Sequence, residues 1–198
     1  MNFYSLIVSF SIIVLVIFIK KKSKIDENLF WKIVFYTTVF SFCGAKIFHL
    51  LENLNFYLLN PNLISLVKGY SIIGAICFGY ITLLHFENSL KVNLEAIKIN
   101  LFLALPLIQF FGRIGNITNQ ELLPFSYYEM ILNLLNFIFL YVVYKNKKHT
   151  MVYFYFLNYG LIRIFIEILK GHFGFLFLMS VLMAIYGFFM LFKLRLKV

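Results

Sequence analysis

Gly112-Arg113-Ile114-Gly115-Asn116-Ile117-Thr118-Asn119-Gln120-Glu121 concentrates an Arg, two Asn, a Gln and a Glu between two long apolar stretches. Polar groups at the edge of hydrocarbon must find partners, so such a cluster is costly to keep and marks a place for chemistry. A second set stands on a later stretch. Tyr159, Arg163 and Glu167 fall at i, i+4 and i+8, which puts them on one helical face, each step rising ~6 Å. A guanidinium that deep in an apolar run costs ~2.5–3.5 kcal/mol on insertion scales. It is held there either as a structural ion pair with Glu167 or as an anion site. In the anion site its planar fork faces a phosphate and Glu167 fixes its orientation. Tyr159 is then a belt residue or a hydroxyl donor. Glu129 is either a carboxylate on a helix N-terminal dipole or a support for one of the arginines. Asn133 lies one turn deeper on the same seam.

The elements that must carry these residues are membrane spans. The chain is 62% hydrophobic and 13% charged, with 26 Phe in 198 residues, and its mean hydropathy is +0.89. That composition describes a polytopic, all-α membrane protein built as a single transmembrane domain, 1–198. About seven transmembrane helices are predicted: Phe3 to Ile19, Leu29 to Leu51, Gly69 to Phe86, Val92 to Phe111, Tyr128 to Tyr144, Met151 to Leu169 and Phe173 to Phe192. Each is about 17–23 residues, enough to cross a ~30 Å hydrocarbon core. The first reads as an uncleaved anchor, because its basic cluster Lys20-Lys21-Lys22-Ser23-Lys24 follows the apolar run and no small-residue cleavage site comes after it. The fourth carries Glu95, Lys98 and Pro106 and is the weakest signal. Small residues such as Gly74, Ala75 and Gly79 are expected to pack the third span against a neighbour.

Twelve of the 18 basic residues fall in the loops after spans one, three and five and in the C-terminal tail. That bias places the C-terminus in the cytoplasm and the N-terminus outside. Lys68, Arg113 and Lys170 are left on the outer side, where Gly112 to Pro124 and the outer half of the Arg163 helix converge. The net charge of +10 is a topology signal with attraction to anionic lipid. It is not a nucleic-acid footprint, since no basic soluble face interleaved with aromatics exists. Cys43 and Cys77 lie inside apolar spans and read as small core residues. No zinc spacing, phosphate loop of the P-loop type or nucleophile elbow is found, and no cofactor or metal is expected.

The segment Gly112-Arg113-Ile114-Gly115-Asn116 followed by Asn119 and Glu121 resembles the signature of the prolipoprotein diacylglyceryl transferase family. Pro124 to Glu129 resembles that family's Pro-Ser-Gln-Leu-Tyr-Glu segment, with Pro124, Tyr128 and Glu129 matching. Tyr159-Gly160 with Arg163 and Glu167 resembles its later Tyr-Gly, Arg and Glu pattern, and Gly44-Ala45-Lys46 its Gly-Ala-Arg element. The resemblance implies transfer of the diacylglyceryl group of phosphatidylglycerol to the lipobox cysteine of a prolipoprotein, with a thioether formed and glycerol-1-phosphate released. It implies catalytic roles for Arg113, Arg163, Glu121 and Tyr159. It implies substrate-binding roles for Gly112, Gly115, Asn116, Asn119, Tyr128, Glu129 and Glu167. The partners implied are phosphatidylglycerol, prolipoprotein signal peptides and membrane lipid, in a bacterial plasma (inner) membrane, with the site opening laterally toward the outer leaflet.

Two departures stand out. Ile73 occupies the place of the family's His in a His-Gly-Gly element, and isoleucine neither accepts a proton nor donates a hydrogen bond. His49, toward the outer end of span two, is either a substitute or a packing residue. His85 lies near the cytoplasmic end of its span, and His149 and His172 read as solvated loop residues. The second departure is length. Family members carry an outer-side insertion before the Pro-Tyr-Glu segment, whereas here Glu121 and Pro124 are nearly adjacent, which bears on peptide specificity more than on lipid binding. The alternatives are a relative that binds anionic phospholipid without this activity or with another acceptor, and a small transporter. A transporter needs a polar route to the cytoplasm, and polar residues are expected to thin out inward.

Overall fold

The computed structural model describes residues 3–64, 69–120 and 122–196, with side chains from residue 9 onward. Its long elements are all helices: α1 (Phe3–Lys22), α2 (Glu27–Glu52), α4 (Ile72–Leu90), α5 (Glu95–Thr118), α6 (Phe125–Asn146), α7 (Met151–Leu169) and α8 (Phe175–Arg195), with a short α3 (Leu54–Leu59) after α2. Six of them, α2 and α4 to α8, are long and apolar enough to cross a membrane, and α1 coincides with the first expected span. Large apolar side chains cover their outer surfaces: Phe10, Phe35 and Phe188 are each more than 60% exposed. In water such a surface would aggregate; in a bilayer it is the lipid contact.

Local chemistry sets several boundaries. The Asp26 carboxylate accepts the Leu29 N–H at 3.2 Å and caps α2. Lys91, with φ 51°, closes α4 in a left-handed conformation. Gly171 closes α7. Its φ is +66°, and the His172 N–H returns to the Glu167 carbonyl at 2.9 Å while the Gly171 N–H reaches Ile168 at 2.9 Å. That pair of bonds is a Schellman motif, which satisfies the last carbonyls of the helix.

Two compact units divide the chain: α1, α5, α6, α7 and most of α8 form one, and α2, α3, α4 and 173–179 form the other. In the first, α7 and α8 touch backbone to backbone. A Cβ on Gly160 would lie 2.7 Å from the Ala184 nitrogen, and one on Gly187 2.5 Å from the Leu157 nitrogen. In the second, α2 and α4 meet at Gly44 and Gly74, where a Cβ on Gly74 would stand 2.2 Å from the Gly44 carbonyl oxygen. Gly74 and Gly79 thus do the packing expected of them, on Gly44 and Ser41 respectively.

Three expectations change. α5 does not stop at Phe111 but runs on to Thr118, so most of the signature is helix rather than loop. Cys43 is exposed rather than in the core, and Cys77 is half-buried. Polar side chains do not thin out inward: Asn100, Gln109, Asn133 and Asn136 are all buried. Gln109 donates to the Tyr155 hydroxyl at 2.9 Å and Asn158 to the Asn136 carbonyl oxygen at 3.1 Å. Isolated amides in hydrocarbon are costly, and pairing across helices offsets part of that cost.

Candidate active site

The first unit brings Arg113 from α5, Glu129 from α6, and Arg163 and Glu167 from α7 into one continuous ladder. Arg113 pairs through Nη2 with Glu129 Oε2. The other oxygen of the same carboxylate, Oε1, accepts from Arg163 Nη1 at 2.5 Å. Arg163 Nη2 then donates to Glu167 Oε1 at 2.5 Å. Lys170 Nζ lies 3.4 Å from that same oxygen, and His172 Nδ1 is 3.3 Å from Glu167 Oε2. Glu129 and Glu167 are only 3% and 2% exposed and Arg163 6%, so these charges are held by one another rather than by water.

The two arginines are not equivalent. Both terminal nitrogens of Arg163 face carboxylates, one on each side. The Arg113 side chain is 18% exposed, against 8% for that of Arg163, and its ionic partner among the described residues is Glu129 alone. Of the two readings of Glu129, the geometry favours the second: it lies beyond the first turn of α6, and its carboxylate pairs with both arginines. The Arg163–Glu167 pair exists as well, but as one rung of a longer array.

Around the ladder, Gly112, Gly115 and Asn116 are buried along α5, with Asn116 one turn beyond Arg113. Asn119 follows in the turn, its N–H bonded to the Gly115 carbonyl at 3.0 Å. Tyr159 is buried one turn before Arg163, its ring stacked on Tyr155 at 5.6 Å and 14°. The contact of Gly160 with α8 anchors this turn of α7, which accounts for a glycine next to Tyr159. Tyr128 is 48% exposed on another face of α6 from Glu129, and is not brought to the ladder. Glu121 lies outside the described residues.

The second unit holds the residues of the expected departure. Ile73 is 1% exposed, a packed core residue. Both His49 ring nitrogens are engaged: Nε2 lies 3.0 Å from the Tyr57 hydroxyl and Nδ1 3.4 Å from the Asn53 side-chain nitrogen. Gly69, at φ +75°, presses so close that a Cβ there would stand 2.1 Å from His49 Nε2. His49 therefore reads as a brace between α2 and the segment after α3. Lys46, at the family's arginine position, donates to the Gly69 carbonyl at 3.4 Å. Among the described residues no group of three or more His, Cys, Asp or Glu is placed to hold a metal.

Lys170 and His172 were not anticipated as part of the array. The signal was present in Gly171, whose left-handed turn folds His172 back onto the last turn of α7.

Curated proteins give no match to the sequence. A family model described as prolipoprotein diacylglyceryl transferase matches residues 1–193. That span takes in every residue of the ladder and both helical units, and on it the protein belongs to the prolipoprotein diacylglyceryl transferase family.

Proposed function

We propose that the protein transfers the diacylglyceryl group of phosphatidylglycerol to the thiol of a lipobox cysteine, releasing glycerol-1-phosphate. The observation that carries the reading is a single buried carboxylate, Glu129, holding arginines from two other helices. The reaction needs sulfur to attack an sp³ carbon while negative charge collects on a phosphate leaving group. Preorganised guanidinium groups in a low-dielectric site stabilise that charge without reorganising at the moment of reaction. Arg113, the more exposed of the two, makes the phosphate contact through the donors that Glu129 does not use. Arg163, with both terminal nitrogens on carboxylates, holds Glu129 and so aims Arg113. Asn116, one turn on from Arg113, is assigned to orienting it, and the family resemblance keeps Glu121, Tyr159 and Asn119 among the site residues.

The location that goes with this reaction is the bacterial plasma membrane, with the ladder toward the outer leaflet and a lateral opening through which lipid and signal peptide enter. Purified protein given phosphatidylglycerol and a lipobox peptide should add a diacylglyceryl mass to the cysteine and release glycerol phosphate. Arg113→Ala should abolish the shift. A wild-type protein that binds phosphatidylglycerol but yields no adduct would favour the relative with another acceptor. Labelling that reaches Arg113 only from the cytoplasm would overturn the outward site.

A further inference from the structure

We propose that Gln109 and Asn133 read the lipid headgroup, their side-chain carbonyls accepting from the two hydroxyls of a glycerol phosphodiester. The inference rests on the transferase reading above, with Arg113 on the phosphate. Both amides belong to the first unit and stand in register with the ladder. α5 ends at Thr118 and α6 starts at Phe125, so the two helices run in opposite directions from a short connection. Arg113 of one pairs with Glu129 of the other. Gln109 comes four residues before Arg113, and Asn133 four residues after Glu129. Both therefore lie one turn, ~6 Å, farther from the connection than the ion pair, each on the same helical face as its ladder residue. Tyr159, four residues before Arg163, is buried at the same level of α7.

Each amide carries an oxygen that the protein does not use. Gln109 and Asn133 are both more than nine-tenths buried. Gln109 Oε1 and Asn133 Oδ1 have no hydrogen-bond partner among the described residues. Buried polar atoms are nearly always satisfied, so two orphan acceptors at one level, directly beside the ladder, call for a donor from outside the chain. Gln109 is also held in place. Its Nε2 donates to the Tyr155 hydroxyl at 2.9 Å, and the Tyr155 ring is stacked on that of Tyr159. With its nitrogen engaged on α7, the amide has its oxygen left to offer.

Two carbonyl acceptors select a ligand with two donors. A glycerol headgroup ends in hydroxyls on adjacent carbons, each with one O–H to give. From the phosphate ester oxygen to the terminal hydroxyl, an extended three-carbon chain spans about 5 Å, by the per-bond reach of an extended backbone. That length matches the turn between Arg113 and the amides. The arginine reads the anion and the amides read the alcohol. A headgroup without hydroxyls would leave both oxygens buried and unpaired, the situation in which a site discriminates most sharply against an analogue.

The test gives wild type, Asn133→Leu, Gln109→Met and the double variant two donor lipids with the same acyl chains, phosphatidylglycerol and phosphatidylpropanol, and a lipobox peptide. Both headgroups have three carbons and one negative charge; only the hydroxyls differ. One hydrogen bond of this kind corresponds to about tenfold. Wild type should therefore favour phosphatidylglycerol by about 100-fold in kcat/KM, and by a similar ratio in Kd measured by native mass spectrometry. Each single variant should lose about tenfold with phosphatidylglycerol and stay within about twofold with phosphatidylpropanol, and the double variant should use the two lipids alike. Leucine and methionine keep the volume of the amides, and melting curves check that each variant is folded. Gln109→Met also gives up the bond to Tyr155, so Asn133→Leu is the more direct of the two. Equal use of the two lipids by wild type, or variants that slow both lipids by the same factor, would overturn the inference; the second pattern is that of a packing role alone. A wild-type protein that yields no adduct with either lipid would overturn the transferase reading, and the ratio of the two Kd values then decides the headgroup site by itself: about 100-fold supports it and equality overturns it.

Discussion

Glu129→Gln isolates the central rung of the ladder while keeping the shape of the side chain. Glu129 is 3% exposed and pairs with both arginines. Removing one partner of a buried ion pair costs ~3–5 kcal/mol, because a charge is left without compensation. Here the cost belongs at the lower end. Arg163 keeps Glu167 at 2.5 Å, and the Arg113 side chain, 18% exposed, can reach solvent. About 3 kcal/mol in a chain of this length corresponds to a fall in Tm of about 6–12 °C. The variant also has a specific signature. With the carboxylate gone, an added anion replaces it, so glycerol phosphate should stabilise the variant more than wild type. At ten times its Kd an anion contributes about 1.4 kcal/mol, or about 3–6 °C. Melting curves in detergent or nanodiscs, with and without glycerol phosphate, read both effects. A Tm unchanged by the substitution, or a phosphate-induced shift no larger than that of wild type, would refute the view that Glu129 is the counter-ion shared by the two arginines.

Two further outcomes follow from the same geometry. Arg163→Lys keeps the charge but cannot reach Glu129 and Glu167 at once with a planar fork; transfer should fall at least tenfold with the protein still folded, and wild-type turnover would show that the bidentate arrangement is dispensable. Gly160→Ala places a methyl 2.7 Å from the Ala184 backbone nitrogen and should cost about 1–3 kcal/mol by overpacking. Gly171→Ala is its control, since nothing lies within 4 Å of a Cβ there; its cost should be the ~1–2 kcal/mol of the left-handed backbone alone, with His172 loosened from Glu167.

The helices were legible because the bilayer imposes long apolar runs. α7 has the bounds expected from its composition, Met151–Leu169, and Tyr159, Arg163 and Glu167 share its buried face as their spacing required. α5 was harder. Gly112, Gly115 and the polar residues between them look like the end of a span, yet they continue as helix because neighbouring helices, not lipid, surround them. Glu129 could be placed near the arginines from its position, but nothing in its local sequence says that its two oxygens divide between two helices. His172 illustrates the same limit in the other direction. A histidine in a loop reads as solvated until the Gly171 turn is seen to carry it back onto Glu167. Tyr128, adjacent to Glu129 in sequence, points elsewhere because consecutive residues on a helix lie about 100° apart.

The ladder has a consequence for traffic through the site. Among the described residues it sets three cations, Arg113, Arg163 and Lys170, against two carboxylates, a surplus of one positive charge when His172 is neutral. A phosphodiester headgroup brings one negative charge and cancels that surplus. The phosphate monoester formed by the proposed transfer carries up to two, and overfills the site. Under the proposed transfer, the array that matches the charge of the donor headgroup is one positive charge short of neutralising the phosphate monoester left behind.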